Sequence, residues 1–145
     1  MKKKQAFLFA LLITLIIAIN IYFLTPNFSP QKEKVFVSRI IDGDTLVLDD
    51  SRKIRMLNIN TPEKSFPNSK LSIEYMKQFE NKSIEIEITG LDKYGRALAR
   101  IYIPEYLNLE LVKQGMASKF LVEESELKDF AKAEEEAILA SKGIW

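Results

Sequence analysis

Three short segments of this chain carry the residues that could do chemistry. The first contains Asp42 and Asp44, the second runs from Arg55 to Glu63, and the third ends at Arg96. Carboxylates can hold a divalent cation, a further carboxylate can activate water, and guanidinium groups bind phosphate oxygens through paired hydrogen bonds. Together these groups predict cleavage of a phosphodiester bond.

Each segment also has an ordinary structural interpretation. Asp42-Gly43-Asp44 is a common turn signal, and the charged stretch from 92 to 96 could be a second turn. Arg55 stands among apolar residues, so it is either an edge residue that reaches solvent or a buried cation that needs an anion. No segment is specific alone, and their joint occurrence in this order favours one site.

The composition removes several kinds of chemistry. The 145 residues include no cysteine and no histidine. This excludes disulfides, thiolate metal sites, a cysteine nucleophile and the commonest general base. Any chemistry must therefore use carboxylates, arginine, lysine, tyrosine or a bound metal ion.

The amino terminus is apolar and follows three lysines, Lys2, Lys3 and Lys4. Residues 6–24 carry no charge and could span a bilayer. We predict that residues 1–24 form an uncleaved membrane anchor or, alternatively, a cleaved signal peptide. Both place the rest of the chain outside the cytoplasm, either at the outer face of the membrane or secreted. A linker over 25–34 and one domain over 35–145 complete the predicted organisation.

The charge balance of the domain is close to neutral. Without its three amino-terminal lysines the chain has 18 basic and 20 acidic residues, a net charge of −2. A broad basic field for nucleic acid is therefore absent, so a polyanionic substrate would need a local cationic site.

The hydrophobic pattern predicts an α+β domain. Alternation and β-branched residues predict five strands, and helical spacing predicts three helices. The predicted strands are 35–41, 46–48, 54–59, 83–88 and 97–103. The predicted helices are 69–81, a short helix capped by Asn108, and one from about Ser125 that turns Leu127, Phe130, Ala131 and Ile138 inward. Helices inserted after the third and fifth strands fit a barrel such as the OB-fold.

These segments, together with the stretch from Asn108 to Ala117 and the terminal Ile144-Trp145, resemble the staphylococcal nuclease (thermonuclease) family over 35–145. The resemblance implies an OB-fold five-stranded β-barrel with three helices, here preceded by a hydrophobic helix. It also implies a monomeric, calcium-dependent endonuclease that hydrolyses DNA and RNA and leaves 3′-phosphates.

The resemblance assigns roles by position. Arg55 and Arg96 match the arginines that bind the phosphate, and Glu63 matches the carboxylate that activates or orients water. Lys93 and Tyr94 match a pair that contacts the nucleotide. For the metal, Asp44 and the Thr61 backbone carbonyl match calcium ligands, and Asp42 matches a carboxylate in the outer shell.

The chain departs from the family pattern in three ways. The second carboxylate ligand of calcium falls on Asn60, whose neutral oxygen predicts weaker calcium binding. Leu121 and Glu123 stand where nucleotide-binding tyrosines are expected, and the stretch between Glu63 and Asp92 is short. Two alternatives stay open. The departures at Asn60 and at the tyrosine positions favour a weakly active or inactive module that binds nucleic acid or a protein partner. The net charge of −2 favours a metal-free, anchored interaction domain with no affinity for nucleic acid.

Overall fold

The computed structural model describes residues 2–24 and 31–145. In chain order the elements are α1 (Lys2–Leu24), β1 (Lys32–Ile40), β2 (Thr45–Leu48), β3 (Lys53–Met56), β4 (Ile59–Asn60), α2 (Ser69–Lys77), β5 (Ser83–Leu91), β6 (Ala97–Ile103), β7 (Glu105–Tyr106), α3 (Leu107–Lys113), β8 (Ser118–Lys119) and α4 (Leu127–Leu139).

Five strands form a closed barrel. They follow the order β3-β2-β1-β5-β6, in which each neighbouring pair is antiparallel. A parallel pairing of β3 with β6, in which Ile54 lies opposite Ala97 and Met56 opposite Ala99, closes the ring. With helices α2, α3 and α4 around the barrel, this confirms the predicted OB-fold of the α+β class.

The core follows from the alternation of apolar residues along the strands. Ile84 and Ile86 of β5 are buried, whereas Glu85 between them is exposed, because successive side chains of a strand point to opposite faces. The helices close the barrel with apolar side chains of their own, chiefly Leu111 of α3 and Phe130 of α4, both fully buried. The barrel interior is thus a packed core, and the chemistry must lie outside it.

The strand predicted over 54–59 is interrupted. It ends at Met56 because Asn58 adopts a left-handed backbone with φ of 67°, a conformation that asparagine tolerates better than most residues. Leu57 donates its N–H to Ala99 of the barrel, and the chain then turns into β4, which pairs with β8. This turn carries Asn60 and Thr61 away from the barrel wall.

The hydrophobic amino-terminal helix is present as predicted. The 18-residue window Lys3–Asn20 has a mean hydropathy of 1.6 and none of its residues is buried, so α1 is long and apolar enough to cross a membrane; a signal sequence would have the same properties. Most of the predicted linker, residues 25–30, lies outside the described residues. Strand β1 begins at Lys32, before the predicted start of the domain at 35.

Two helical predictions differ from the structure. Asn108 does not cap α3; it lies within the helix, fully buried, and its side chain bonds the barrel backbone. In α4, Leu127 and Ile138 are 46% exposed, whereas Ala133 and Ala137 are buried. The packed face of α4 therefore contains its small residues rather than Leu127 and Ile138. Small side chains on this face allow the helix to lie close to α3.

Candidate active site

The three segments singled out in the sequence line one cleft of about 1030 Å³. It lies where the β1–β2 turn, the loop after β4 and the β5–β6 turn meet. The candidate residues on its wall are Asp42, Asp44, Arg55, Asn60, Thr61, Glu63, Lys93, Tyr94 and Arg96.

The β1–β2 turn places two carboxylates at the edge of this cleft. Asp44 is only 6% exposed. Its Oδ2 accepts hydrogen bonds from the N–H (2.8 Å) and hydroxyl (3.0 Å) of Thr61, and its Oδ1 accepts one from the Thr45 hydroxyl (3.1 Å). Asp42 Oδ1 accepts the N–H of Asp44 at 3.1 Å. Asp44 thus fastens the loop after β4 to the turn.

Gly43 sits between these carboxylates and against α2. A Cβ built at Gly43 would lie 2.3 Å from Oγ and 2.5 Å from Cβ of Ser72, which is fully buried. The turn therefore requires glycine for close approach to the helix.

We expect Gly43→Ala to destabilise the fold by about 1–3 kcal/mol, because either α2 or the turn must move to admit the methyl group. The same movement displaces Asp42 and Asp44 and lowers activity. Urea unfolding followed by the fluorescence of Trp145 measures the first effect. The matched control is Gly90→Ala, since a Cβ at Gly90 meets no atom within 4 Å; equal losses in both variants would contradict the steric explanation.

Arg55 is the buried cation of the site. It is 9% exposed, and its Nη1 donates to the Met56 carbonyl at 2.7 Å. Its Nη2 donates to Oδ1 of Asn60 at 3.1 Å and lies 3.3 Å from Oδ2 of Asp44. Burial lowers the pKa of Arg55, the Asp44 carboxylate partly opposes this, and the positive charge of Arg96 lowers it further. Of the two interpretations of Arg55, the buried and paired cation is correct.

Arg96 reaches the same cleft from the β5–β6 turn. Asp92 accepts hydrogen bonds from the N–H groups of Tyr94 and Arg96 through Oδ1, both at 2.9 Å, and from Nε of Arg96 through Oδ2 at 2.7 Å. Burial raises the pKa of Asp92, but these hydrogen bonds outweigh it and the pKa is lowered. Nη1 of Arg96 lies 3.5 Å from the Thr45 hydroxyl. Thr45 therefore links Arg96 to Asp44, and Asp44 links to Arg55.

Glu63 and the residues of the β5–β6 turn are more exposed. Glu63 follows Pro62 in the loop before α2, and its carbonyl accepts the N–H of Phe66 at 2.8 Å. Among the described residues, none donates a hydrogen bond to the Glu63 carboxylate. Tyr94 is 71% exposed, with the Lys93 ammonium 5.0 Å and the Arg96 guanidinium 5.5 Å from its ring centre. These side chains are free to meet a ligand.

A family model described as "Staphylococcal nuclease homologue" matches residues 53–145. The chain belongs to this nuclease family. The match includes Arg55, Glu63 and Arg96, and the carboxylate turn precedes it.

Individual family members agree with the assignment. An uncharacterized endonuclease of Escherichia coli is 37% identical over 56% of this chain and 57% of its own length. A thermonuclease of Staphylococcus intermedius is 33% identical over 59% and 58%, and one of Staphylococcus hyicus is 29% identical over 93% and 94%. The chain thus spans less than two thirds of the first two relatives and nearly all of the third. A nuclease-type hydrolase is the common assignment.

The cleft of this nuclease homologue also has an apolar wall. Leu121, noted in the sequence in place of a nucleotide-binding tyrosine, and Phe120, which the sequence did not single out as a site residue, are 81% and 49% exposed and line the cleft. Leu121 has a left-handed backbone with φ of 48°. Asn58 holds this segment, because its carbonyl accepts the Phe120 N–H at 2.8 Å and its Oδ1 accepts the Glu123 N–H at 3.2 Å. The sequence signal for this wall is a pair of adjacent apolar residues that does not belong to the hydrophobic pattern of any helix or strand.

The donor atoms of the family member fit a hard divalent cation. Asp42 and Asp44 share one turn, and the N–H and hydroxyl of Thr61 bond Asp44, so two carboxylates of the kind calcium prefers lie beside Thr61. Burial and the neighbouring charge of Asp44 raise the pKa of Asp42. Within residues 2–24 and 31–145, however, no group of three or more acidic side chains is arranged to hold a metal. Asp42 and Asp44 are therefore the two carboxylates that supply negative charge to the candidate metal site.

Proposed function

We propose that this protein is a calcium-dependent nuclease that hydrolyses the phosphodiester bonds of DNA and RNA and leaves 3′-phosphates. The observation that carries the proposal is the convergence of Arg55, Arg96 and Glu63 on one cleft next to a pair of carboxylates. Such a cleft suits a nucleic-acid strand as substrate. Each phosphodiester group of the strand carries a negative charge that the arginines can bind.

In this proposal the arginines bind the scissile phosphate. Attack by water builds negative charge on the phosphate oxygens, and two planar guanidinium groups accept that charge through forked hydrogen bonds. Arg55 is fixed by three acceptors and Arg96 by Asp92, so neither must be reorganised when the substrate arrives.

Glu63 takes a proton from the attacking water. The new bond joins that water oxygen to phosphorus, and the bond from phosphorus to the 5′-oxygen breaks. The 5′-oxygen takes a proton from solvent and leaves as a hydroxyl, and Glu63 returns its proton to solvent. Exposure of the Glu63 carboxylate on the cleft wall leaves room for water beside it. Asp44, the Thr61 carbonyl and Asp42 in the outer shell would hold calcium, and Asn60 occupies the position of a further metal ligand in the family pattern. A calcium ion held there would supply positive charge to the phosphate and polarise water.

Lys93 and Tyr94 contact the nucleotide next to the cleaved bond, since both line the cleft and Tyr94 is largely exposed. The helix α1 holds the enzyme at the outer face of the membrane, and its apolar length supports that location. If α1 is removed as a signal peptide, the same domain is secreted as a monomer.

The test uses the full-length protein in mild detergent with plasmid DNA and with RNA. We expect cleavage of both in millimolar calcium and none with a chelator. Glu63→Gln should lower kcat by about 10²–10⁴-fold, because the amide cannot accept the proton, while oligonucleotide binding is retained. Glu124→Gln, a surface change outside the cleft lining, is the matched control.

A binding module without catalysis is the second candidate. It is favoured by the absence of three clustered acidic side chains among the described residues. A folded protein that binds an oligonucleotide in a salt-dependent way, yet cuts neither DNA nor RNA at any calcium concentration, would replace the nuclease proposal with this one.

A further inference from the structure

The side chain of Asn60 contacts Arg55. The amide oxygen accepts a hydrogen bond from Nη2 of Arg55 at 3.1 Å. The residue is exposed, so this contact is not a consequence of tight burial. The same amide oxygen would have to serve as the metal ligand and as the acceptor for the guanidinium, so the two roles compete.

The backbone that carries Asn60 is braced from the other side of the domain. Asn60 pairs with Ser118 in the β4–β8 ladder, and the Ser118 hydroxyl donates to the Asn60 carbonyl at 3.3 Å. Lys119 of β8 donates its N–H to Glu134 of α4 at 2.9 Å and also forms an ion pair with it. Asn60 thus lies on the short β4–β8 ladder, which is bonded to α4. Its side-chain amide contacts Arg55 from this position.

The acceptors around Arg55 differ in charge. Met56 offers a carbonyl, Asp44 a carboxylate and Asn60 a neutral amide oxygen. These contacts fix the plane of the guanidinium, which a forked contact to phosphate requires. Of these three acceptors, only Asp44 carries a negative charge that offsets the charge of Arg55. A second carboxylate in place of Asn60 would pair with the guanidinium and compete with the phosphate for it.

We propose that Asn60 is a positioning residue: it orients Arg55 toward the phosphate as a neutral acceptor and leaves the guanidinium charge available to the substrate, rather than serving as a metal ligand. This inference rests on the proposed function, because it assumes that Arg55 meets a phosphate.

The test is a double-mutant cycle on the full-length protein in detergent. The probe is a fluorescein-labelled single-stranded oligodeoxynucleotide, and its binding is measured at low salt with a chelator present, so that no metal contributes. Asn60→Leu should weaken binding by about tenfold, the size of one lost hydrogen bond to a charged group. In an Arg55→Lys background the same change should weaken binding by less than about twofold, because the partner is already gone.

Two further variants separate positioning from general damage. Asn60→Asp keeps an acceptor of the same shape but adds charge, so binding of the oligonucleotide should also weaken, although the fold is unchanged. Asn68→Leu makes the same chemical change at an exposed asparagine outside the cleft lining and is the matched control, with binding expected within about twofold of the wild type. Urea unfolding monitored by Trp145 establishes that each variant is folded.

Calcium binding without nucleic acid provides the independent measurement. In calorimetric titrations we expect Asn60→Leu to bind calcium within about twofold of the wild type. A loss of about tenfold or more in calcium affinity would overturn the inference and make Asn60 a ligand. So would an equal effect of Asn60→Leu on oligonucleotide binding with Arg55 and with Lys at that position.

The inference and the proposed function fail in different ways. Wild-type protein that cuts nucleic acid, combined with an additive cycle, overturns the role of Asn60 and leaves the nuclease intact. Wild-type protein that binds the oligonucleotide through a coupled Asn60 and Arg55 but does not cut it overturns the nuclease and leaves the positioning role. Wild-type protein that cuts nucleic acid but does not bind the oligonucleotide without metal overturns only the role of Asn60, and wild-type protein that neither binds nor cuts overturns both.

Discussion

Arg96→Lys is expected to lower kcat by about 10²–10³-fold, because a single ammonium cannot replace a forked guanidinium against the charge that develops on the phosphate. Arg96 suits this test because its side chain is 28% exposed and held mainly by Asp92, so the barrel does not depend on it. Steady-state cleavage of a short DNA substrate at saturating calcium measures the effect.

Arg52→Lys is the matched control for this change. Arg52 also makes ion pairs, with Glu33 and Asp50, but on the surface and outside the cleft lining. Its replacement should leave kcat unchanged. Arg96→Lys with wild-type kcat, in a protein that cuts nucleic acid, would remove Arg96 from the reaction and leave Arg55 as the phosphate ligand.

Asn108→Leu is expected to destabilise the fold by about 2–6 kcal/mol, a large part of the stability of a small domain. Asn108 is fully buried and accepts the Ile101 N–H at 3.0 Å. It also donates to the carbonyls of Leu57 (2.9 Å) and Ala99 (3.1 Å). Leucine fills the space but leaves the first two backbone groups without a partner, and each unsatisfied buried group costs about 1–3 kcal/mol.

Urea unfolding measures this loss through the single tryptophan, Trp145. Asn68→Ala is the control, because Asn68 precedes α2, is exposed and makes no side-chain cap hydrogen bond. A cost below about 1 kcal/mol for Asn108→Leu would mean that the barrel backbone finds other partners.

The barrel was predictable because its pattern is local. Alternation in β5 assigns Ile84 and Ile86 to one face without knowledge of any neighbour, and five such strands with inserted helices restrict the architecture. The residues of the cleft were also identified, since turns at 42–44 and 92–96 hold charged side chains whatever the exact fold around them. The pattern therefore indicated residues that line one cleft, and their catalytic and metal-binding roles stay predictions.

The contacts that shape the site could not be predicted, because they join residues far apart in the chain. Nothing near Asn58 indicates that it turns a strand and holds Phe120. The helical spacing around Asn108 equally suits a cap, and only the fold brings Leu57 to it. The acceptor that Asn60 offers to Arg55 depends on the same turn at Asn58, so the departure at Asn60 could be noticed in the sequence but not explained.

The parallel pairing of β3 with β6 has a consequence for when the protein can act. Arg55 lies in β3 and Arg96 immediately precedes β6, and Ile54 meets Ala97 only when the ring is closed. The pairing of two strands that are far apart in the chain must overcome the loop-closure entropy of the residues between them. We therefore expect it to form late in folding. A chain in which this pairing has not formed does not hold Arg55 and Arg96 at one cleft. Under the proposed function, cleavage therefore depends on completion of the barrel.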